Sequence, residues 1–165
     1  MGNSESIQIT TQTQKNFDPN RYQGKWQEIA RYPTLIWEKD CYSAEANYTW
    51  DNEKKILYVE NICLDQNFKP KRSRFGEARV VNPDDMSKLS LKFTDGLPSG
   101  PESPYWVFKT DYVNYSIVGE PTGNFLWILT REPYVERDDI QYIKMVVKRL
   151  GYDPERLVFP EKRIR

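Results

Sequence analysis

Tyr42-Ser43-Ala44-Glu45-Ala46-Asn47-Tyr48-Thr49-Trp50 is the stretch that decides the fold. Its even positions are apolar or aromatic and its odd positions are polar. Successive side chains of a strand point to opposite faces, so this period of two describes a strand with one buried face. Asp51-Asn52-Glu53-Lys54 follows as a turn, and Ile56 to Cys63 is a second strand, which makes a hairpin. The same alternation extends outward on both sides. Gly24–Tyr32 precedes the hairpin; Arg74–Val81, Leu89–Phe93, Tyr105–Thr110, Asn114–Gly119 and Phe125–Thr130 follow it. The breaks between them are turn chemistry: Asn82-Pro83-Asp84-Asp85, Asp111-Tyr112, Glu120-Pro121-Thr122-Gly123, and a Pro- and Gly-rich loop over residues 94–104.

The period changes after Pro133. Ile140, Ile143, Val147 and Leu150 recur every three or four residues, which predicts an amphipathic helix over Arg137–Leu150 that stops at Gly151. Asp138 and Asp139 near its start and Lys148 and Arg149 near its end suit the helix dipole. Eight short strands in succession and then one helix predict an all-β chain: a closed eight-stranded antiparallel up-and-down β-barrel with the helix packed on its outside.

A chain of 165 residues is one domain's worth, and the pattern divides it into a flexible polar tail over residues 1–16 and a domain over 17–165. Lys plus Arg equals Asp plus Glu at 24 each, so no global field favours nucleic acid. The chain has no histidine, which excludes a Ser-His-Asp triad and His-ligated metals; no metal or other cofactor is expected. Two cysteines are too few for a disulfide scaffold. No apolar run reaches 18 residues. An eight-stranded barrel either fills with side chains or holds one small ligand. Small inward residues (Ala44, Ala46, Gly76, Ala78) mixed with large aromatics (Tyr48, Phe93, Trp106, Phe108) predict a ligand cavity.

Three motifs in order resemble the lipocalin family. Gly24-Lys25-Trp26 is similar to the Gly-x-Trp of its first strand. Thr110-Asp111-Tyr112 is similar to its second motif, and Arg131 at the end of Leu126-Trp127-Ile128-Leu129-Thr130-Arg131 to its third. Gly24 to Tyr32, Pro104-Tyr105-Trp106 and Gly151-Tyr152-Asp153 further resemble the clade of apolipoprotein D, the bacterial outer-membrane lipocalins and the plant temperature-induced lipocalins. The resemblance spans about residues 17–160. It implies a protein that binds fatty acids, lysophospholipids or similar apolar molecules, several of its relatives working at membranes. It also implies that Trp26 plugs the narrow end of the barrel beneath the Arg131 guanidinium, with Asp111 and Tyr112 as turn residues beside them.

Strand parity nominates the ligand-binding residues: Ala44, Ala46, Tyr48 and Trp50; Gly76 and Ala78; Leu91 and Phe93, with Leu89; Trp106 and Phe108; and Tyr115, with Ile117. In the strand from Ile56 to Cys63 parity leaves two faces open, Tyr58 with Ile62 or Leu57 with Val59 and Asn61, and the resemblance favours Val59 and Asn61, with Leu57, as inward. A slip of one residue reverses a strand's face, and the same residues would equally fill a solid core. Without histidine or paired inward carboxylates the chain reads as a binding protein, not an enzyme. Glu28, Asn61 and Cys63 are the groups that an isomerase of apolar substrates would use. A membrane-peripheral protective protein with a filled barrel is the other alternative. Parity places Cys41 outward and Cys63 inward, which predicts free thiols; a bridge across the hairpin is the alternative.

Two features bear on membranes. Lys69-Pro70-Lys71-Arg72-Ser73-Arg74 is a basic run expected on a loop at the barrel mouth, and Glu161-Lys162-Arg163-Ile164-Arg165 is a weaker basic tail. Met1-Gly2-Asn3-Ser4-Glu5-Ser6 fits the N-myristoylation pattern, with Gly2 as acceptor, and equally fits a polar tail. It carries no basic and apolar secretory leader, so a cytoplasmic or peripheral-membrane place is expected, as a monomer or weak dimer.

Overall fold

The computed structural model describes residues 8–33, 38–96 and 100–165. One helical turn, α1 (Pro19–Tyr22), leads into the strands β1 (Gly24–Arg31), β2 (Ser43–Asp51), β3 (Ile56–Leu64), β4 (Pro70–Val80), β5 (Lys88–Phe93), β6 (Ser103–Thr110), β7 (Tyr115–Gly119) and β8 (Leu126–Thr130). The helix α2 (Arg137–Arg149) follows, then two short 3-10 turns. Each strand pairs antiparallel with the next, and β8 pairs back onto β1, so the sheet closes and leaves no free edge. This is the expected up-and-down barrel with its outer helix.

Two cores result. Trp26, Tyr48, Trp50, Leu57, Val59, Ala78, Leu89 and Val107 fill the lower barrel. Ile29, Phe108, Ile117, Leu126 and Ile128 pack on the outer wall with Val146 and Val147 of α2. The outer layer corrects part of the parity reading. Trp106, Phe108, Tyr115 and Ile117 belong to the outer cluster, while Tyr105, Val107 and Val118 face the barrel interior. The cause is α2 itself. By covering the outside of β6 and β7 it makes both of their faces apolar, and alternation then no longer says which face is inside. A register shift between Val107 and Lys109 adds to the ambiguity.

The ends differ. At one end the Arg131 guanidinium lies 3.8 Å over the Trp26 ring. It donates to the carbonyls of Tyr112 (3.0 Å), Lys25 (2.9 Å) and Arg21 (3.1 Å), and the Trp26 indole donates to Tyr22 O at 2.9 Å. Beside it, Asp111 accepts from the backbone N–H groups of Val113, Asn114 and Tyr115, which holds the β6–β7 turn. The Thr110 hydroxyl donates to Tyr115 O, and Tyr112 takes a left-handed φ of 67°. Trp26, Thr110, Asp111, Tyr112 and Arg131 thus meet at this end of the barrel. Gly24, at φ 98°, lies against Arg131.

Four other expectations are corrected. Cys41 and Cys63 form a disulfide, with Cα atoms 5.4 Å apart. Cys41 precedes β2, so strand parity does not set its direction. Residues 8–16 are docked, not loose: Thr10 N donates to Leu150 O, Gln14 N donates to Val107 O, and Ile9 is buried under the helix end. Gly151 is required there, since any Cβ would strike Gln8 O and its φ is +105°. The basic run lies largely within β4, and Asp40 pairs with both Lys71 and Arg72. The basic tail is engaged as well: Arg163 is buried on Ser43, Gln27 and Pro133, and Arg165 pairs with Glu136. Gly2 lies outside the described residues.

Arg131→Ala removes a stacked cation and several charge-assisted hydrogen bonds, and is expected to cost about 3 kcal/mol in denaturant unfolding. Arg131→Lys recovers less than half of that, because an ammonium lacks the planar fork. Replacing Cys41 and Cys63 by serine opens a loop of 22 residues. It is expected to lower stability by about 3 kcal/mol without unfolding the barrel, read as a shift in the urea midpoint.

Candidate functional site

Because Trp26 and Arg131 seal one end, the space left inside the barrel opens toward the other. There a cavity of about 370 Å³ lies above the lower core. That is toward the small end of the range for small-molecule sites. Ala44, Ala46, Leu91, Phe93, Val118, Leu129, Phe125 and Trp127 supply apolar walls. The alanines matter by their size, since each leaves volume where a larger side chain would stand.

Of the nominated residues, Ala44, Ala46, Tyr48, Asn61, Leu91 and Phe93 line this cavity. Trp50, Val59 and Ala78 face the interior but lie in the packed core beneath it. Gly76 is buried beneath Leu91 and Phe93, where an added Cβ would meet both side chains at 3.2 Å. Trp106, Phe108 and Tyr115 are on the outer side and do not contribute.

The floor is a hydroxyl network. Tyr48 and Tyr105 hydroxyls lie 2.6 Å apart, Tyr105 reaches Tyr22 at 3.2 Å, and Tyr22 reaches Ser116 at 2.8 Å. Burial pushes the Tyr22 hydroxyl up to about 12, against the hydrogen bonds that lower it. These phenols stay neutral and satisfy one another, which closes the floor without an orphaned polar group.

One wall carries a pair of acids. Glu28 on β1 and Glu38 in the β1–β2 connection both line the cavity and are 5% and 6% exposed. Arg31 lies between them, with its guanidinium 3.4 Å from Glu28 Oε1 and 3.2 Å from Glu38 Oε2. Its Nη2 also donates to the carbonyls of Glu38 (3.0 Å) and Cys41 (2.6 Å), which ties the connection to the barrel. The Trp127 indole donates to Glu38 Oε1 at 3.2 Å. Burial and then the neighbouring Glu38 charge hold the Glu28 carboxyl well above the usual carboxylate range, with Arg31 opposing. Burial raises Glu38 too, again against Arg31. The expected lack of paired inward carboxylates is therefore corrected.

Glu38 carried no sequence signal, because it sits in an irregular connection that has no parity to read. Tyr105 and Val118 were missed through the one-residue slip. At the mouth, Arg74 stacks 4.0 Å over Phe93 and pairs with Asp95 at 3.6 Å. On the mouth's far side, Glu120 accepts from the N–H groups of Thr122, Asn124 and Phe125, a turn-holding role.

Carboxyls raised in the folded state stabilise it fully below their unfolded value near 4.5, and that stability is lost as pH rises through the raised folded values. Wild-type protein is expected to lose melting temperature relative to Glu28→Gln, which keeps the shape without the charge, as the pH is raised above 4.5. Parallel melting curves across that range would contradict the arrangement.

Comparisons with known proteins agree with this geometry. Residues 17–162 match the model of the lipocalin-like domain family. Mouse apolipoprotein D is 31% identical over 151 residues, covering 87% of this chain and 76% of its own. The outer membrane lipoprotein Blc of Vibrio cholerae is 29% identical, covering 98% and 90%. The chloroplastic lipocalin of Arabidopsis thaliana is 29% identical, covering 94% and 50%. Among solved structures, insecticyanin from the tobacco hornworm Manduca sexta superposes with a TM-score of 0.66 at 22% identity, covering 96% of this chain and 85% of its own. Lobster apocrustacyanin A1 gives 0.62 at 20%, covering 85% and 77%. With the barrel closed, Trp26 stacked under Arg131 and the family match running through nearly the whole domain, the chain belongs to the lipocalin family, alongside apolipoprotein D and the bacterial outer-membrane lipocalins.

Proposed function

We propose that this lipocalin binds one single-chain lipid, a fatty acid or lysophospholipid, in its barrel and carries or stores it close to a membrane. The family binds small hydrophobic ligands; the identity of this one rests on the cavity. The observation that carries it is an apolar space of about 370 Å³, sealed below by Trp26 and the tyrosine floor. A chain of about 14 buried methylenes at ~0.8 kcal/mol each gives a gross gain near 11 kcal/mol. Association costs several kcal/mol of this, which leaves micromolar to sub-micromolar affinity. No catalytic step is needed for that role, and we read the acid pair, held in place by Arg31 and Trp127, as part of the binding wall.

Support for a membrane setting is electrostatic. Lys69, Lys71, Arg72 and Arg74 gather on the β3–β4 side of the mouth, where each basic residue near an anionic surface is worth about 1 kcal/mol. Asp40 offsets part of this. An acyl group on Gly2 would be the second signal that stable anchoring requires. The setting is then membrane-peripheral, the Cys41–Cys63 bridge telling against the reducing cytosol, with the protein a monomer or weak dimer.

Native mass spectrometry followed by lipid extraction tests the reading. A copurifying or added single-chain lipid at one per protein supports it; a clean apo mass together with no quenching of the tryptophans by added fatty acids overturns it. Leu91→Trp, which fills the cavity from β5, is expected to weaken lipid binding at least tenfold, whereas Ile117→Leu on the outer wall leaves it within twofold.

A further inference from the structure

Acceptors outnumber donors on the cavity's acidic wall. Two carboxyls, Glu28 and Glu38, share one paired guanidinium there, Arg31, with the Arg163 charge acting on Glu28 from further away. Arg31 already spends Nη2 on two backbone carbonyls. Trp127 supplies one further N–H, to Glu38 Oε1. Glu38 Oε2 is buried with the Arg31 charge beside it and takes no hydrogen bond from an N–H or hydroxyl group; the further donor in reach of Glu38 is a proton held on Glu28. An ionised carboxylate accepts up to about four hydrogen bonds, so this wall lacks donors as well as positive charge. When both acids ionise, the Glu28–Arg31–Glu38 group carries a net negative charge inside a low-dielectric cavity. Burial, which holds both carboxyls up, and the Glu38 charge, which holds Glu28 up further, are the strain that an added cation relieves.

The surroundings suit a cation in a second way. Trp127 and Phe125 stack with centroids 5.9 Å apart and planes 4° apart, and both rings line the same cavity. Aromatic faces attract an ammonium, more so when water is excluded. A ligand carboxylate brought to this wall would instead meet two acids, with one guanidinium already shared between them.

We infer that Glu28, Glu38 and Trp127 form a subsite for an ammonium group, so that the barrel prefers amine-bearing amphiphiles to those ending in a carboxylate. The inference rests on the lipid-binding reading and narrows it to single-chain lipids whose head group ends in an ammonium, with fatty acids disfavoured. The ammonium donates to Glu38 Oε2 and Glu28, and the alkyl chain lies along Ala44, Ala46, Leu91 and Leu129. No bond is made or broken beyond hydrogen bonds. Arg31 keeps its place on the Glu38 and Cys41 carbonyls.

Isothermal titration of the full chain with dodecylamine, dodecanol and dodecanoate at pH 7, each below its micelle concentration, separates the ideas. The amine is expected to bind at least tenfold more tightly than the alcohol, and the carboxylate more weakly than the alcohol. Glu38→Gln is expected to cut the amine-to-alcohol ratio at least tenfold; Glu28→Gln does the same if the first variant fails to fold. Equal or tighter binding of the alcohol or carboxylate by the wild type overturns the subsite and leaves the lipid reading standing. An amine preference that survives both variants overturns its assignment to these acids. Binding of none of the three overturns both readings.

Discussion

Arg131 over Trp26 is the contact on which the rest of the molecule depends. A closed sheet of eight strands has two open ends, and water entering from both would leave no dry interior. The guanidinium covers the indole at 3.8 Å and spans carbonyls from α1, β1 and the β6–β7 turn. One side chain thus ties the segment before the first strand to the β6–β7 turn. Arginine suits the position because its planar fork stacks and donates at once. With that end shut, the remaining volume opens toward the connections between β1 and β2, β3 and β4, β5 and β6, and β7 and β8, and that asymmetry creates the cavity.

The outer helix has the opposite task. It covers a stripe of the wall formed by Ile29, Phe108, Ile117 and Ile128, which would otherwise face water. Tyr152, just beyond the helix, donates to Glu120 O and accepts from Glu120 N, which anchors the end of β7 near the mouth. Gly119 is needed for this approach, since an added Cβ would collide with the Tyr152 hydroxyl. The helix therefore reaches the mouth through the β7–β8 turn. The Cys41–Cys63 bridge and Arg31 fix the β1–β2 connection in the same way on the acidic side.

Legibility from sequence varied strand by strand, for a physical reason. In β2 and β5 the outward side chains, such as Thr49 and Ser90, are polar, so Ala44, Ala46, Tyr48, Leu91 and Phe93 announced the inner face. In β6 and β7 both faces are buried, one by the barrel and one by α2, and nothing in Trp106, Phe108 or Tyr115 distinguished them from Tyr105, Val107 or Val118. The Cys41–Cys63 bridge and Glu38 were hidden for a different reason. Both depend on where residues 38–41 sit against the barrel, and that stretch lies outside the strands and has no period.

By itself the sequence determined the closed eight-stranded barrel, its outer helix, the Trp26–Arg131 plug and the apolar character of the interior. The barrel, the helix and the apolar interior follow from local alternation and turn chemistry between near neighbours; the plug, whose two residues are far apart in the chain, is legible only through the resemblance of its motifs to a known family. Only the tertiary structure decided which face of β6 and β7 is inside, how deep the cavity runs, and that Glu28, Arg31 and Glu38 meet on one wall beside Trp127. Those are relations between distant segments of chain, and they are set by what each surface is packed against once the barrel has closed.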